Sequence, residues 1–233
     1  MKLKKAFVRD FLIVCLIASV LSGSAQGAMV NLFEWGLKSE GSLIAPGDIL
    51  PTNVDVSGFD FTAGLGSLSL TINTPGIHYA GLFVDHEIDE SVNTFFNEFG
   101  SSMGTPIGGQ SWEIDEPGFN PPFGDIFANF KGSNLENSNA ISLGSTNDVS
   151  MAMGFDFTIM ADESATITWL VEEVAPSAGF FLSHTDPDSN ASVFFSGKLD
   201  INGGQVPEPS TYLLFGMGLI SLAAYKKRQI NSL

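Results

Sequence analysis

A two-residue rhythm in the middle of the chain does most to limit the fold. Val149, Met151, Met153, Phe155, Phe157 and Ile159 alternate with Ser150, Ala152, Gly154, Asp156 and Thr158. A strand sends successive side chains to opposite faces, so this run predicts a strand with one apolar face. Leu68, Leu70 and Ile72 alternate in the same way with Ser69, Thr71 and Asn73. Residues 165–174, 178–183 and 191–201 continue the series, and residues 77–85, apolar on both faces, predict a central strand. Clusters of Gly, Pro, Asn and Asp break these runs at short intervals. The pattern predicts a mainly β, antiparallel sandwich or jelly-roll-like domain. Twenty Phe against three Tyr and three Trp predict a core filled with Phe.

One stretch departs from the rhythm. Ile88, Val92, Phe95, Phe96 and Phe99 fall at helical spacing, which predicts one short helix packed over a sheet edge. Residues 100–147 are rich in Gly, Pro, Ser and Asn, which predicts long loops with one or two strands around 111–114 and 126–130.

Both ends of the chain differ from this middle. Lys2, Lys4, Lys5 and Arg9 precede an apolar run over residues 11–21 and small residues over 22–28. That order predicts a signal peptide, residues 1–27, handled by the Sec translocon and cleaved after Gly27, with Ala25 or Ala28 as alternatives. Cys15, the single cysteine, lies inside it, so the mature chain has no disulfide and no thiol nucleophile. Residues 28–205 then form one domain that rests on its own core. They carry 3 Lys against 24 Asp and Glu, a formal charge of −21. Nothing there neutralises phosphates, so nucleic acid is excluded as a partner. Such acidity solvates an extracellular surface or binds divalent cations such as Ca²⁺.

The other end has three parts. Residues 206–211 are polar with Pro207 and Pro209, residues 212–225 are uncharged and apolar, and residues 226–233 open with Lys226, Lys227 and Arg228. The prolines fix φ and keep the box extended. The apolar run spans about 21 Å as a helix. That is short for a bilayer core of about 30 Å, but flanking Ser, Thr and snorkelling Lys extend it into a single transmembrane helix with a cytoplasmic basic end.

Pro207-Glu208-Pro209, the short apolar span and the basic end together resemble the PEP-CTERM sorting signal of Gram-negative bacteria. The resemblance covers about the last tenth of the chain. It implies that the protein is a substrate of an exosortase, a membrane enzyme resembling a cysteine transpeptidase. On it, Pro207, Glu208 and Pro209 are recognition residues, and the protein belongs to the cell surface or the exopolysaccharide matrix of biofilms. Residues 83–90, 94–100, 110–118, 148–157 and 179–189 are similar to other ectodomains that carry this signal. That likeness implies a shared fold type and brings no activity with it.

Three acidic constellations are candidates for chemistry. Asp85, Glu87 and Asp89 flank His86 at an expected strand end and could offer oxygens to Ca²⁺; Asp85 is equally a natural helix N-cap. Asp186, Asp188 and Asn190 form a D-x-D-x-N loop, the first half of a calcium-loop pattern. Ala191 and Gly197 stand where an EF-hand has Gly and Glu, so it is not one. An Asx/Pro turn is the structural alternative. Glu113, Asp115 and Glu116 follow Trp112, an arrangement that could form a sugar-binding shelf or a glycosidase pair, although a Trp is more often core. There is no G-x-S-x-G elbow, no HExxH and no phosphate-binding glycine loop. The expectation is a non-enzymatic, exported protein, structural or adhesive, with Ca²⁺ bridging its acidic loops and extracellular polysaccharide as a partner. A lectin-like module or a carbohydrate-active hydrolase is the alternative.

Overall fold

The computed structural model describes residues 28–118, 123–203 and 217. The expected signal peptide, the 206–211 box, the 212–225 span and the basic end lie outside the described residues, save Met217. No helix among the described residues is long and apolar enough to cross a membrane.

The strands are β1 (Val30–Ser39), β2 (Ser42–Ile44), β3 (Val54–Asp60), β4 (Leu65–Ile72), β5 (Gly76–Ile88), β6 (Phe99–Met103), β7 (Gln110–Asp115), β8 (Ser138–Asn139), β9 (Ser150–Ile159), β10 (Glu163–Glu172), β11 (Phe181–Asp186) and β12 (Ala191–Gly203). A helix, α1 (Ile126–Gly132), lies between β7 and β8. The strands form two six-stranded sheets. The first runs β2-β1-β5-β9-β7-β8 and the second β3-β4-β10-β12-β11-β6. All pairings are antiparallel except the short β7–β8 pair. β5 is central, as its two apolar faces predict.

The sheets pack face to face on the residues that the alternation marked. Leu68, Leu70, Met151, Met153, Phe155, Ile167, Trp169 and Phe195 are buried in one cluster with Leu82 and Val84 of β5. Side chains within such a core interdigitate at crystal-like density, so each strand's register is set by its apolar face. The outer face of the first sheet carries a second, smaller cluster. There Phe83 and Ala152 meet Ile126, Phe127, Phe130 and Leu135.

That smaller cluster explains one correction. Residues 126–130, expected as a strand, form the helix α1. Ile126, Phe127 and Phe130 fall on one helical face and cover Phe83, with Phe83–Phe127 and Phe83–Phe130 ring centroids 5.2 and 5.9 Å apart. Ser133, in the left-handed region at φ 60°, ends the helix by donating its N–H to carbonyls of the last turn.

The other correction is the reverse. The helix expected over residues 88–99 is not formed. β5 continues to Ile88, a turn follows, and β6 starts at Phe99. Val92, Phe95 and Phe96 are exposed, so their helical spacing faces no surface to pack against. Asp89 and Phe96 have φ of 54° and 65°, which a right-handed helix excludes. Asp85 accordingly caps no helix; it lies within β5.

Candidate functional site

Strand alternation splits β5 into two faces. Ala80, Leu82, Val84 and Ile88 enter the core between the sheets. Phe83, Asp85 and Glu87 take the opposite face, beneath α1 and the turn after β5. The antiparallel register pairs Asp85 with Glu34 of β1 and with Ser150 of β9. Continued by two residues, the β5–β9 register sets Asp148 opposite Glu87. Glu98 joins from the side. Its backbone pairs with Asn147, just before β9, while its own chain runs into β6 of the second sheet. Glu98 thus links the two sheets at the end where these acids meet.

Glu98 is 3% exposed, and each of its carboxylate oxygens accepts one hydrogen bond. His184 Nε2–H donates to Oε2 at 2.8 Å, and Asn93 Nδ2 donates to Oε1 at 2.9 Å. His86, in the core nearby, donates from Nε2 to the Gly64 carbonyl at 3.1 Å. Burial pushes the His86 imidazole down to about 4, so it is neutral. Gly64 sits at φ 71°, and a Cβ there would collide with the His86 ring.

The carboxylates around Glu98 are shifted in one direction. Burial, then the charges of Asp148, Glu87, Glu34 and Glu98, hold Asp85 well above the usual carboxylate range. Glu87 and Asp148 are raised by burial and by neighbouring acids, Glu98 among them. Burial and like charge both penalise the ionised form. His184 works against the shift at Glu87 and Asp148, while Lys38 and Lys198 are engaged elsewhere. Lys38 donates to the Lys131 carbonyl, and Lys198 pairs with Asp200 at 2.8 Å.

A second acidic group lies on the same sheet face, one strand further on. Glu113, Asp115 and Asp125 bring carboxylate oxygens within 4.8 Å of one another. It is internally bonded. Asn129 Nδ2 and the Glu136 N–H donate to Glu113 at 3.0 and 3.1 Å, and the Asp125 N–H donates to Asp115 at 3.0 Å. Burial raises Glu113 to about 7 against these hydrogen bonds.

The D-x-D-x-N loop is a closed turn between β11 and β12. Asp186 is fully buried and accepts from the N–H groups of Asp188 and Ser189 and from Ser189 Oγ, at 2.9, 3.0 and 2.6 Å. Asn190 occupies a left-handed position at φ 58°. Asp188 turns outward and accepts from the Thr94 N–H at 2.6 Å and from Asn97 Nδ2 at 3.0 Å. The three residues are therefore not brought together as one ligand set. Asp188 instead holds the turn after β5. Asp89 is a turn residue, accepting a long bond from Ser91 at 3.4 Å. Trp112 is half-buried against Phe180 and the main core, its ring centroid 5.5 Å from that of Phe180.

Of the acids singled out in the sequence, Asp85 and Glu87 thus sit where acids converge. Glu98 and Asp148, which complete that group, carry no local sequence signal. Glu98 was hidden in an apparent helical stripe, and Asp148 lies 61 positions from Glu87 in sequence, joined to it only through strand register.

Comparison with known families bears on the other end of the chain. A family model described as the PEP-CTERM protein-sorting motif matches residues 205–228. The chain carries a PEP-CTERM sorting signal. This signal is what an exosortase recognises, and it marks export and sorting to the bacterial cell surface or envelope. Pro207, Glu208 and Pro209 fall inside the matched segment, which begins two residues after the last strand ends at Gly203. No curated protein and no solved structure matches the chain.

Proposed function

We propose that this is an exported, exosortase-processed protein of a Gram-negative surface or exopolysaccharide matrix. Its role is structural or adhesive in a biofilm rather than enzymatic. The observation that carries the reading is the PEP-CTERM signal placed directly after a two-sheet domain with its own core. On this reading the Sec translocon exports the chain and the tail helix holds it in the membrane until exosortase acts. The β-sandwich is then presented outside, with extracellular polysaccharide as its partner and Ca²⁺ bridging its acids.

The arrangement of acids supports a non-catalytic domain over a hydrolase. Glu113 is 1% exposed and covered by its own hydrogen-bond donors, so it is closed to a substrate. A lectin-like role has one observation in its favour. Phe95 and Phe96 are 73% and 66% exposed and line the same small pocket as Glu87, Glu98 and Asp148. Loss of polysaccharide retention in a Phe95→Ala, Phe96→Ala double variant, with the fold intact, would select it.

The sorting reading is tested in cells. Replacement of Pro207 and Pro209 by Ala is expected to leave an uncut precursor in the membrane fraction. Unchanged processing and unchanged surface display would sink the proposal.

A further inference from the structure

Thr52, Asn53, Val54, Asp55, Thr71 and Asn73 line an open cleft of about 380 Å³. It lies at a corner of the second sheet, where the edge strand β3 starts beside the end of β4. The volume falls in the range of about 300–1,000 Å³ typical of small-ligand sites, but those are mostly apolar. Here Val54 is the one aliphatic residue, and the other five carry hydroxyl, amide or carboxylate groups. Thr52, Asn53, Asp55 and Asn73 are exposed, and Thr71 is half-buried. The wall is held firmly. The Thr71 N–H donates to the Asn53 carbonyl, and Asn53 Nδ2 donates back to the Thr71 carbonyl, each at 2.9 Å. The Val54 N–H closes the turn on the Pro51 carbonyl at 3.1 Å. Beyond the cleft, the outer face of the sheet continues with hydroxyls. Register sets Ser69 and Thr168 in line with Asp55, and Thr166 beside Thr71. The hydroxyls of Ser69 and Thr168 are 3.1 Å apart, and those of Thr71 and Thr166 are 3.5 Å apart. The next strand adds Lys198 and Asp200, which pair with each other at 2.8 Å.

We propose that this corner binds a neutral polysaccharide, with one hexose unit in the cleft and its neighbours across the hydroxyl face. A sugar hydroxyl both donates and accepts. Asn offers a carbonyl acceptor and two amide donors, Thr offers both functions, and Asp accepts. The set therefore meets adjacent sugar hydroxyls without needing a charged ligand. The charge pattern selects neutral over ionic occupants. Residues 28–205 carry a formal charge of −21, which repels an anionic polymer. Asp55 is the one carboxylate of the cleft, which is too little for a cation that takes six to eight oxygens. The edge strand also argues against a protein strand as the occupant. β3 is bulged between Asp55 and Gly58, and Asp55 Oδ1 accepts the Ser57 N–H at 2.9 Å. A bulge twists a sheet edge away from further strand pairing. The inference deepens the proposed matrix role and rests on it for polysaccharide as the partner. Neutral hydrogen bonds exchanged with water each contribute modestly, so the expected Kd is roughly 0.1–1 mM.

The test is calorimetric titration of the full chain, in a detergent without a sugar head group. Maltohexaose, cellohexaose and mannohexaose are the neutral probes, and a galacturonate hexamer is the anionic one. At least one neutral hexamer should bind, and the galacturonate hexamer should bind about tenfold more weakly or less. Asp55→Ala and Asn73→Ala should each weaken binding about fivefold, and together they should abolish it. Both side chains are exposed, and far-UV circular dichroism checks that the variants fold. Should the double variant fail to fold, the single variants decide. The Phe95→Ala, Phe96→Ala variant, altered on the turn at the far end of β5, should bind as the parent does. No binding of any neutral hexamer overturns the proposal. So does binding that survives the double variant, equal binding of the galacturonate hexamer, or a loss confined to the Phe95, Phe96 variant. Fractionation of the producing cells reports the matrix role separately. Protein held in the matrix while the hexamers fail means that the site is wrong and the role stands. Site-dependent titration with no protein in the matrix leaves the site and removes the role.

Discussion

The two acidic regions around Asp85 and Asp186 look alike in sequence and differ in structure. Both are short runs of carboxylates beside a histidine, and both hold an aspartate that is at least 98% buried. Asp186 accepts three hydrogen bonds from its own turn. Asp85 accepts none from the described residues and faces Glu34, Glu87, Glu98 and Asp148. The first is a structural staple whose charge is dissolved by nearby donors. The second is a carboxyl held among other acids by the sheet, where burial and like charge disfavour its ionised form. Burial alone therefore does not mark a site; what matters is whether the buried group's partners come from its own loop.

The strongest challenge to that contrast is Asp186→Ala. It should cost about 2–4 kcal/mol in denaturant unfolding, because it orphans the donors of a buried turn. A loss below about 0.5 kcal/mol, the size of an ordinary surface change, would remove the distinction between the two regions.

Glu113 sharpens the comparison through pH. Its folded value of about 7 lies above the ordinary 4.5, so its contribution is full below about pH 4.5 and is lost as pH rises through about 7. His86, lowered to about 4, acts oppositely; its contribution is present above about pH 6.5 and is lost as pH falls through about 4. The difference between parent and Glu113→Gln isolates the carboxylate. The variant should gain on the parent by about 1–2 kcal/mol between pH 4.5 and 8, measured by urea unfolding. Equal pH profiles would mean that Glu113 is not penalised in the fold.

Smaller effects follow at the surface. Asp188→Asn should lower Tm slightly and speed hydrogen exchange at the Thr94 amide, since Asp188 secures the turn after β5 from outside. Unaltered exchange at Thr94 would show that the turn is held by other contacts. Smallest of all is Phe95→Ser with Phe96→Ser. These exposed rings should change stability by no more than about 0.5 kcal/mol. A loss of several kcal/mol would restore the packed helix that their spacing suggested.

Much of the sandwich was legible from local pattern. The alternation at 68–72, 149–159 and 165–174 names strands and their buried faces, because a side chain's direction along a strand depends only on its own backbone. The two misread segments have the same cause. Ile126, Phe127 and Phe130 became a helix because Phe83 and Ala152 offered them a surface. Val92, Phe95 and Phe96 became a turn because nothing did. Short apolar runs are ambiguous until their partner surface exists.

The PEP-CTERM tail stands at the other extreme. It is read as a linear string of box, span and basic end, so its meaning needs no tertiary contact, and the family comparison places it at residues 205–228. By itself the sequence determined the address, the β class and the excess of acid. Only the tertiary structure decided which acids meet. Asp85 and Glu87 join Asp148 through antiparallel register and Glu98 through a link between sheets, and these are pairings across more than ten to sixty residues that no local rule specifies. Charge repulsion acts through space, so the consequences of those pairings arise only once the sheets have closed.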